Sequence, residues 1–246
     1  MIRPPYRLAL LVLATAILAG CVSAPKRQAF NAEANPDIRS IEVLQTRDSE
    51  IQTFIVNNPG ASFGLIGGLI AEADRASKTN KLQAHLEAAS FDHERVLADT
   101  LKAALEAEGY EVTMPSPLVE SEDDKAKRDA WGLRKVKPSG TTEANALLDI
   151  NFGFVGYASA GAGDSAPYRP TVMLSARLLD AETGEVLFSE QVLYNNVFNN
   201  RDAIIIEPDA RFTYPDFDDL DAAGQASAEG MRVAIEAAVL RMAKAL

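Results

Sequence analysis

The sequence predicts an α/β (α+β) fold: a mixed sheet with an antiparallel C-terminal meander, packed by helices that include a long C-terminal helix. Three observations predict it. First, Leu148, Ile150, Phe152 and Phe154 alternate with Asp149, Asn151 and Gly153, and Val172, Leu174, Ala176 and Leu178 alternate with Met173, Ser175 and Arg177. That period of two belongs to strands with two unlike faces. Second, Asp180-Ala-Glu-Thr-Gly184-Glu carries turn residues, with Gly at a position suited to positive φ, and Val186 to Tyr194 forms a return strand. Third, Leu220, Gly224, Ser227, Met231, Ile235, Ala238 and Met242 recur at helical spacing on one stripe.

The remaining elements follow in chain order. Ile41 to Thr46 and Ile51 to Val56 are rich in β-branched and apolar residues and read as strands. Arg47-Asp-Ser-Glu50 between them reads as a turn, so a hairpin is expected. Residues 59–78 place Gly60, Gly64 and Gly68 on one helical face, with Phe63, Leu65, Ile66, Leu69 and Ile70 around the rest. Two readings stay open for this segment. It is a membrane-dipping or self-associating helix, because a smooth Gly face lets another backbone approach. Alternatively it is a helix packed over the sheet, or a Gly-rich loop feeding a helix at 69–78. Residues 82–108 read as helical in two parts; Val96, Leu97, Leu101, Ala104 and Leu105 mark the second, and Gly109 suits the position after its end. A short strand at 110–114 follows, closed by Pro115 and Pro117. Residues 121–134 are charged and predicted helical through Trp131, and 135–143 are predicted loop. Ala158 to Pro167 is predicted as an exposed connection, and 195–219 as an irregular segment. Asp218 or Asp219 is expected to cap the final helix.

The start of the chain carries an address. Arg3 and Arg7 precede an apolar run from Leu8 to Leu18, and Ala19-Gly20-Cys21 closes it. A basic region, an apolar core and a small-residue cleavage site make a secretory signal. The run is too short for the roughly twenty residues that cross a bilayer as a helix. Leu18-Ala19-Gly20-Cys21 resembles the bacterial lipobox at all four positions. The resemblance implies removal of 1–20 and acylation of Cys21, which is the only cysteine. Val22 and Ser23 follow in place of an Asp, which by the same resemblance implies the outer membrane, with the domain facing the periplasm. The expected organisation is a signal peptide at 1–20, a lipidated N-terminus and flexible tether at 21–40, and a single α/β domain at 41–246.

Composition narrows the function. With 47% apolar residues the chain can bury a real core, and its net charge is −11. Loss of Arg3 and Arg7 with the signal leaves about −13. Such a balance excludes a nucleic-acid footprint and electrostatic attraction to anionic lipid. His85 and His93 lie more than two helical turns apart with no cysteine to join them, so no zinc site and no other cofactor is expected. Asp216-Phe-Asp218-Asp219-Leu-Asp221 lacks the loop Gly and the terminal Glu of a calcium site, and reads as helix capping. No G-x-S-x-G elbow, phosphate loop or spaced carboxylate pair is present, so no catalytic residue is nominated.

The hairpin LLDAETGEVLFSEQ at 178–191 resembles the α/β domain of several envelope lipoproteins. They are the curli-secretion lipoprotein family, the lipoprotein activators of penicillin-binding proteins, and the N-terminal domain of the Tol-system propeller protein. That resemblance implies non-enzymatic binding or assembly work at the envelope. The expected partners are the bilayer, through acylated Cys21, and an envelope protein or a second copy. The candidate contact surfaces are Gly60, Gly64 and Gly68 and the segments 158–169 and 195–219. The alternatives are a self-associating membrane complex or secretion component built on 60–68, and an envelope hydrolase.

Overall fold

The computed structural model describes residues 25–58, 64–116, 118, 128–135, 137–138, 140–161 and 166–246, with backbone alone at 64–67. The sheet has seven strands: β1 (Ser40–Val43), β2 (Gln52–Asn57), β3 (Glu111–Thr113), β4 (Ala146–Gly161), β5 (Arg169–Asp180), β6 (Val186–Tyr194) and β7 (Ile204–Ile206). The helices are α1 (Gly64–Ala88), α2 (His93–Ala107), α3 (Phe217–Ala223) and α4 (Ala226–Ala243). Strand order is β3-β1-β4-β5-β6-β7, with β2 also on β4. β4, β5 and β6 form the expected antiparallel meander, while β1, β2, β3 and β7 pair in parallel. The mixed α/β class therefore stands as the sequence predicts.

The expected hairpin between β1 and β2 does not form. Both strands run parallel to β4, β1 against Ala146–Leu148 and β2 against Gly156–Gly161. A 16-residue β4 is long enough to hold two short strands end to end. The link between them therefore carries the chain forward rather than back.

One face of the sheet is apolar and covered by helices. Leu97, Leu101 and Leu105 of α2 and Met231, Ile235, Val239 and Met242 of α4 pack with Ile41, Leu148, Ile150, Leu174 and Phe188. The side-chain alternation expected through Phe154 breaks at a bulge between Phe152 and Phe154. Adding one residue to a strand moves every later side chain to the other face. Phe154 accordingly leaves the core and meets Phe54 and Phe198 at ring-centroid distances of 6.2 and 5.5 Å, while Val155 and Tyr157 enter it.

The other face carries Asp149, Asn151, Ser175 and Arg177. Residues 128–134 cover part of it, and they turn back through an Arg128–Arg134 bridge instead of continuing as helix. Arg134 binds the buried Asp149 carboxylate through its backbone N–H and its guanidinium, both at 2.5 Å. A segment that spends its charged side chains downward on a buried carboxylate cannot also present a helical solvent face. Residues 119–127 of the expected helix lie outside the described residues.

The helices also divide differently. The expected helices at 69–78 and 82–88 are one element, α1. It ends at a break where Ser90 adopts φ 49° and Asp92 caps α2 by accepting from the Arg95 N–H at 2.9 Å. Gly109 follows α2 at φ 95°, as expected. The C-terminal stripe is split at Gly224, φ 54°, into α3 and α4. Asp216, rather than Asp218 or Asp219, caps α3 by accepting from the Asp219 N–H. Within 195–219 the chain adds β7 and a short 3-10 turn at Ala210–Phe212. β4 runs to Gly161 with Ser159 buried, so 158–161 belong to the sheet rather than to an exposed connection.

Candidate contact groove

The first half of α1 and the outer edge of β2 diverge to form a groove. Near the start of β2 the two are joined. The Thr53 N–H donates to Thr79 Oγ1 (3.1 Å), the two threonine hydroxyls lie 3.0 Å apart, and Gln83 Nε2 donates to the Ile51 carbonyl (3.2 Å). Toward the end of β2 a space of about 500 Å³ opens, lined by Thr53–Asn58 and by Gly68, Ala71, Arg75 and Lys78 of α1, with Tyr168 at one end. The Thr53 N–H points away from β4. By the period of two along a strand, the N–H groups of Ile55 and Asn57 face the same edge.

The charges in this groove are matched. Arg75 donates to Glu72 (Nε, 2.9 Å) and to Gln52 Oε1 (3.1 Å), and Lys78 donates to Asp74 (2.7 Å). The bond to Glu72 raises the Arg75 pKa above its ordinary value. Burial works against the charge on Lys78, but Asp74 and Tyr168 together outweigh it and hold the ammonium above its usual range. Lys78 also sits 5.6 Å from the Phe217 ring centroid. Cations engaged in this way are poor anchors for a free anion. Among the described residues the buried Tyr168 hydroxyl has no hydrogen-bond partner, and burial raises its pKa against the pull of nearby Lys78.

Three of the surfaces expected to make contacts converge here. Gly68 lies on the groove wall, Tyr168 belongs to 158–169, and the Tyr168 and Tyr214 backbones exchange hydrogen bonds of 2.8 and 2.9 Å, which ties 195–219 to the same corner. A Cβ placed on Gly68 would meet nothing within 4 Å, so this glycine does not serve close packing inside the domain. Leu69 and Ile70 beside it are 64% and 66% exposed. Gly64 opens α1, while Cys21 and Gly60 lie outside the described residues. Sequence reasoning did not single out Thr53, Arg75, Lys78 or Tyr168. The signal for the helical members was available, because 64, 68, 71, 75 and 78 continue one face at steps of three and four.

Two other constellations bear on chemistry. Asp221 receives Lys81 Nζ (2.7 Å) and lies 2.8 Å from His85 Nε2, so the acidic cluster caps α3 and tethers it to α1. Among the described residues no three His, Cys, Asp or Glu side chains are grouped to hold a metal. Ser49 Oγ lies 3.0 Å from His93 Nε2, a pairing of nucleophile and base that the sequence did not suggest. The same nitrogen is 3.0 Å from the Ser49 carbonyl, which only a protonated Nε2 can serve. With its proton on that nitrogen the ring donates to the carbonyl, and in the other tautomer it accepts from the hydroxyl.

No family model and no curated protein matches the sequence. Among solved structures, the chain overlaps a dodecamer of a PelC point variant from Paraburkholderia phytofirmans at 11% identity, over 92% of this chain and 98% of that one. The TM-score is 0.27, too low for that overlap to bear on function. Among the described residues no helix is long and apolar enough to cross a membrane.

Proposed function

We propose that this chain is an outer-membrane lipoprotein, acylated at Cys21, whose periplasmic α/β domain is a non-enzymatic accessory factor that docks an envelope protein. The observation that carries the docking is the β2–α1 groove. A strand edge with outward N–H groups, facing a helix across a space of about 500 Å³, suits an extended segment added beside β2. Main-chain hydrogen bonds would hold the segment, with Gly68 and Ala71 leaving room for its side chains along the helical wall. The internally matched charges suit a peptide backbone better than a small anion.

The exposure of Leu69 and Ile70 and the open space at Gly68 favour a second reading, in which another copy of the chain supplies the occupant. One experiment separates the two. A photo-crosslinking residue at position 71, on the groove wall, in full-length protein in intact cells, is expected to yield one discrete adduct with a different envelope protein. An adduct of twice the chain's mass would establish self-association instead. Labelling no greater than that from exposed position 111, on β3, would remove the groove as a contact site.

A further inference from the structure

The chain ahead of β1 does not lead straight off the domain. Gln28 and Ser189 of β6 exchange both backbone hydrogen bonds, at 2.8 and 2.9 Å. Arg27 grips the buried Glu190 carboxylate through Nε and Nη2, each at 2.6 Å, and Gln28 Nε2 donates to the Val186 carbonyl. Phe30 packs against the core. β7 pairs only with Val192–Tyr194, so residues 27–28 take the part of the β6 edge that β7 leaves. Pro25, Lys26 and Arg27, together with Trp131, Asn200 and Asp202, enclose a recess of about 440 Å³. Of the tether expected at 21–40, residues 27, 28 and 30 are therefore held against the sheet and its core.

That seating limits the reach of the anchor. Cys21 stands six residues before Arg27, the first residue held on the sheet, and six extended residues span at most about 21 Å. A domain of this length has a radius of gyration of about 17 Å. A leash close to that radius cannot carry the acyl chains to the far edge of the sheet. We infer that acylated Cys21 holds the β6–β7 edge against the bilayer surface, with Trp131 and its recess at the level of the lipid headgroups. Tryptophan suits that level because its ring is apolar and its N–H is polar. Net charge cannot supply the approach, since the domain is acidic. The leash supplies it. The β2 edge, on the opposite side of the sheet, then faces away from the membrane and leaves the groove open to a partner.

This orientation rests on the proposed acylation of Cys21, and the test keeps the two apart. Trp131 is the only tryptophan, so protein emission reports that residue alone. The full chain is expressed with its own N-terminus, its mass measured, and the protein reconstituted in phosphatidylethanolamine–phosphatidylglycerol vesicles doped with brominated phosphatidylcholine. Acylated protein that floats with the vesicles is expected to lose about half of its emission, to shift to the blue and to be shielded from acrylamide. A Trp131→Phe, Glu111→Trp variant carries its fluorophore on β3 at the far edge of the sheet, and is expected to be unquenched by bromine. Floated, acylated protein whose Trp131 is quenched no more than the position-111 probe would overturn the orientation alone. Protein that lacks the acyl mass and fails to float would overturn the anchoring, and the orientation with it.

Discussion

At the scale of single residues, Asp149 and Arg134 show how a polar position in a strand acquires a structural task. Asp149 is fully buried, and burial pushes its carboxyl pKa up against the pull of Arg134. Arg134 in turn donates to the Gln45 carbonyl, and Arg177 bonds both the Arg134 carbonyl (2.8 Å) and Asp129 (2.5 Å). Removing one partner of such a pair leaves a buried charge without its counter-charge, which costs about 3–5 kcal/mol. Asp149→Ala is therefore expected to lower stability by that amount in urea denaturation; a loss below about 1 kcal/mol would show the pair to be screened like one at the surface. The alternation of 148–154 told which side Asp149 takes. It could not tell that Arg134 would be its partner, because the two meet through a turn with no regular period.

At the scale of elements, the β5–β6 hairpin and α2 are the parts most legible in sequence. Asp180 accepts from the Thr183 N–H (2.6 Å), the Thr183 hydroxyl (2.9 Å) and the Glu182 N–H (3.0 Å), and Gly184 takes φ 75°. The Thr183 N–H is the main cause that lowers the Asp180 pKa. The folded state then favours the ionised carboxylate. This contribution is fully present above the unfolded value of about 3.9 and is lost as pH falls through the lower folded value. Asp180→Asn is expected to lower stability above about pH 4 and to change it much less in stronger acid, so that the acid limb of the stability–pH curve flattens; an unaltered acid limb would remove Asp180 from that role. These turn contacts span five residues, which is why the sequence carries them. The placement of β1 and β2 involves partners about a hundred residues away, and a plausible local turn gave the wrong pairing.

At the scale of the whole molecule, one close approach decides where β2 lies. A Cβ at Gly156 would stand 1.8 Å from the Gln52 carbonyl oxygen, and Gly156 itself takes φ 153°. Any side chain there must drive β2 off β4. Gly156→Ala is expected to destabilise the domain by more than the roughly 1–3 kcal/mol of backbone strain alone, and to expose the 52–57 amides to hydrogen exchange ahead of β5 and β6. Unchanged protection of 52–57 would show that β2 holds its place without this contact. Because β2 forms one wall of the groove, the same substitution is expected to weaken crosslinking from position 71.

The sequence by itself determined the α/β class, the antiparallel meander, the end of α2 at Gly109 and the residues that resemble a lipobox. Each rests on residues within one turn, one strand or one helical face. Only the tertiary structure decided that β1 and β2 share one edge of β4, that Phe154 leaves the core, that residues 27 and 28 are held on β6, and that Gly68, Thr53, Arg75 and Tyr168 border one groove. These depend on a bulge, a close backbone approach and pairings far apart in the chain, for which local periodicity has no register.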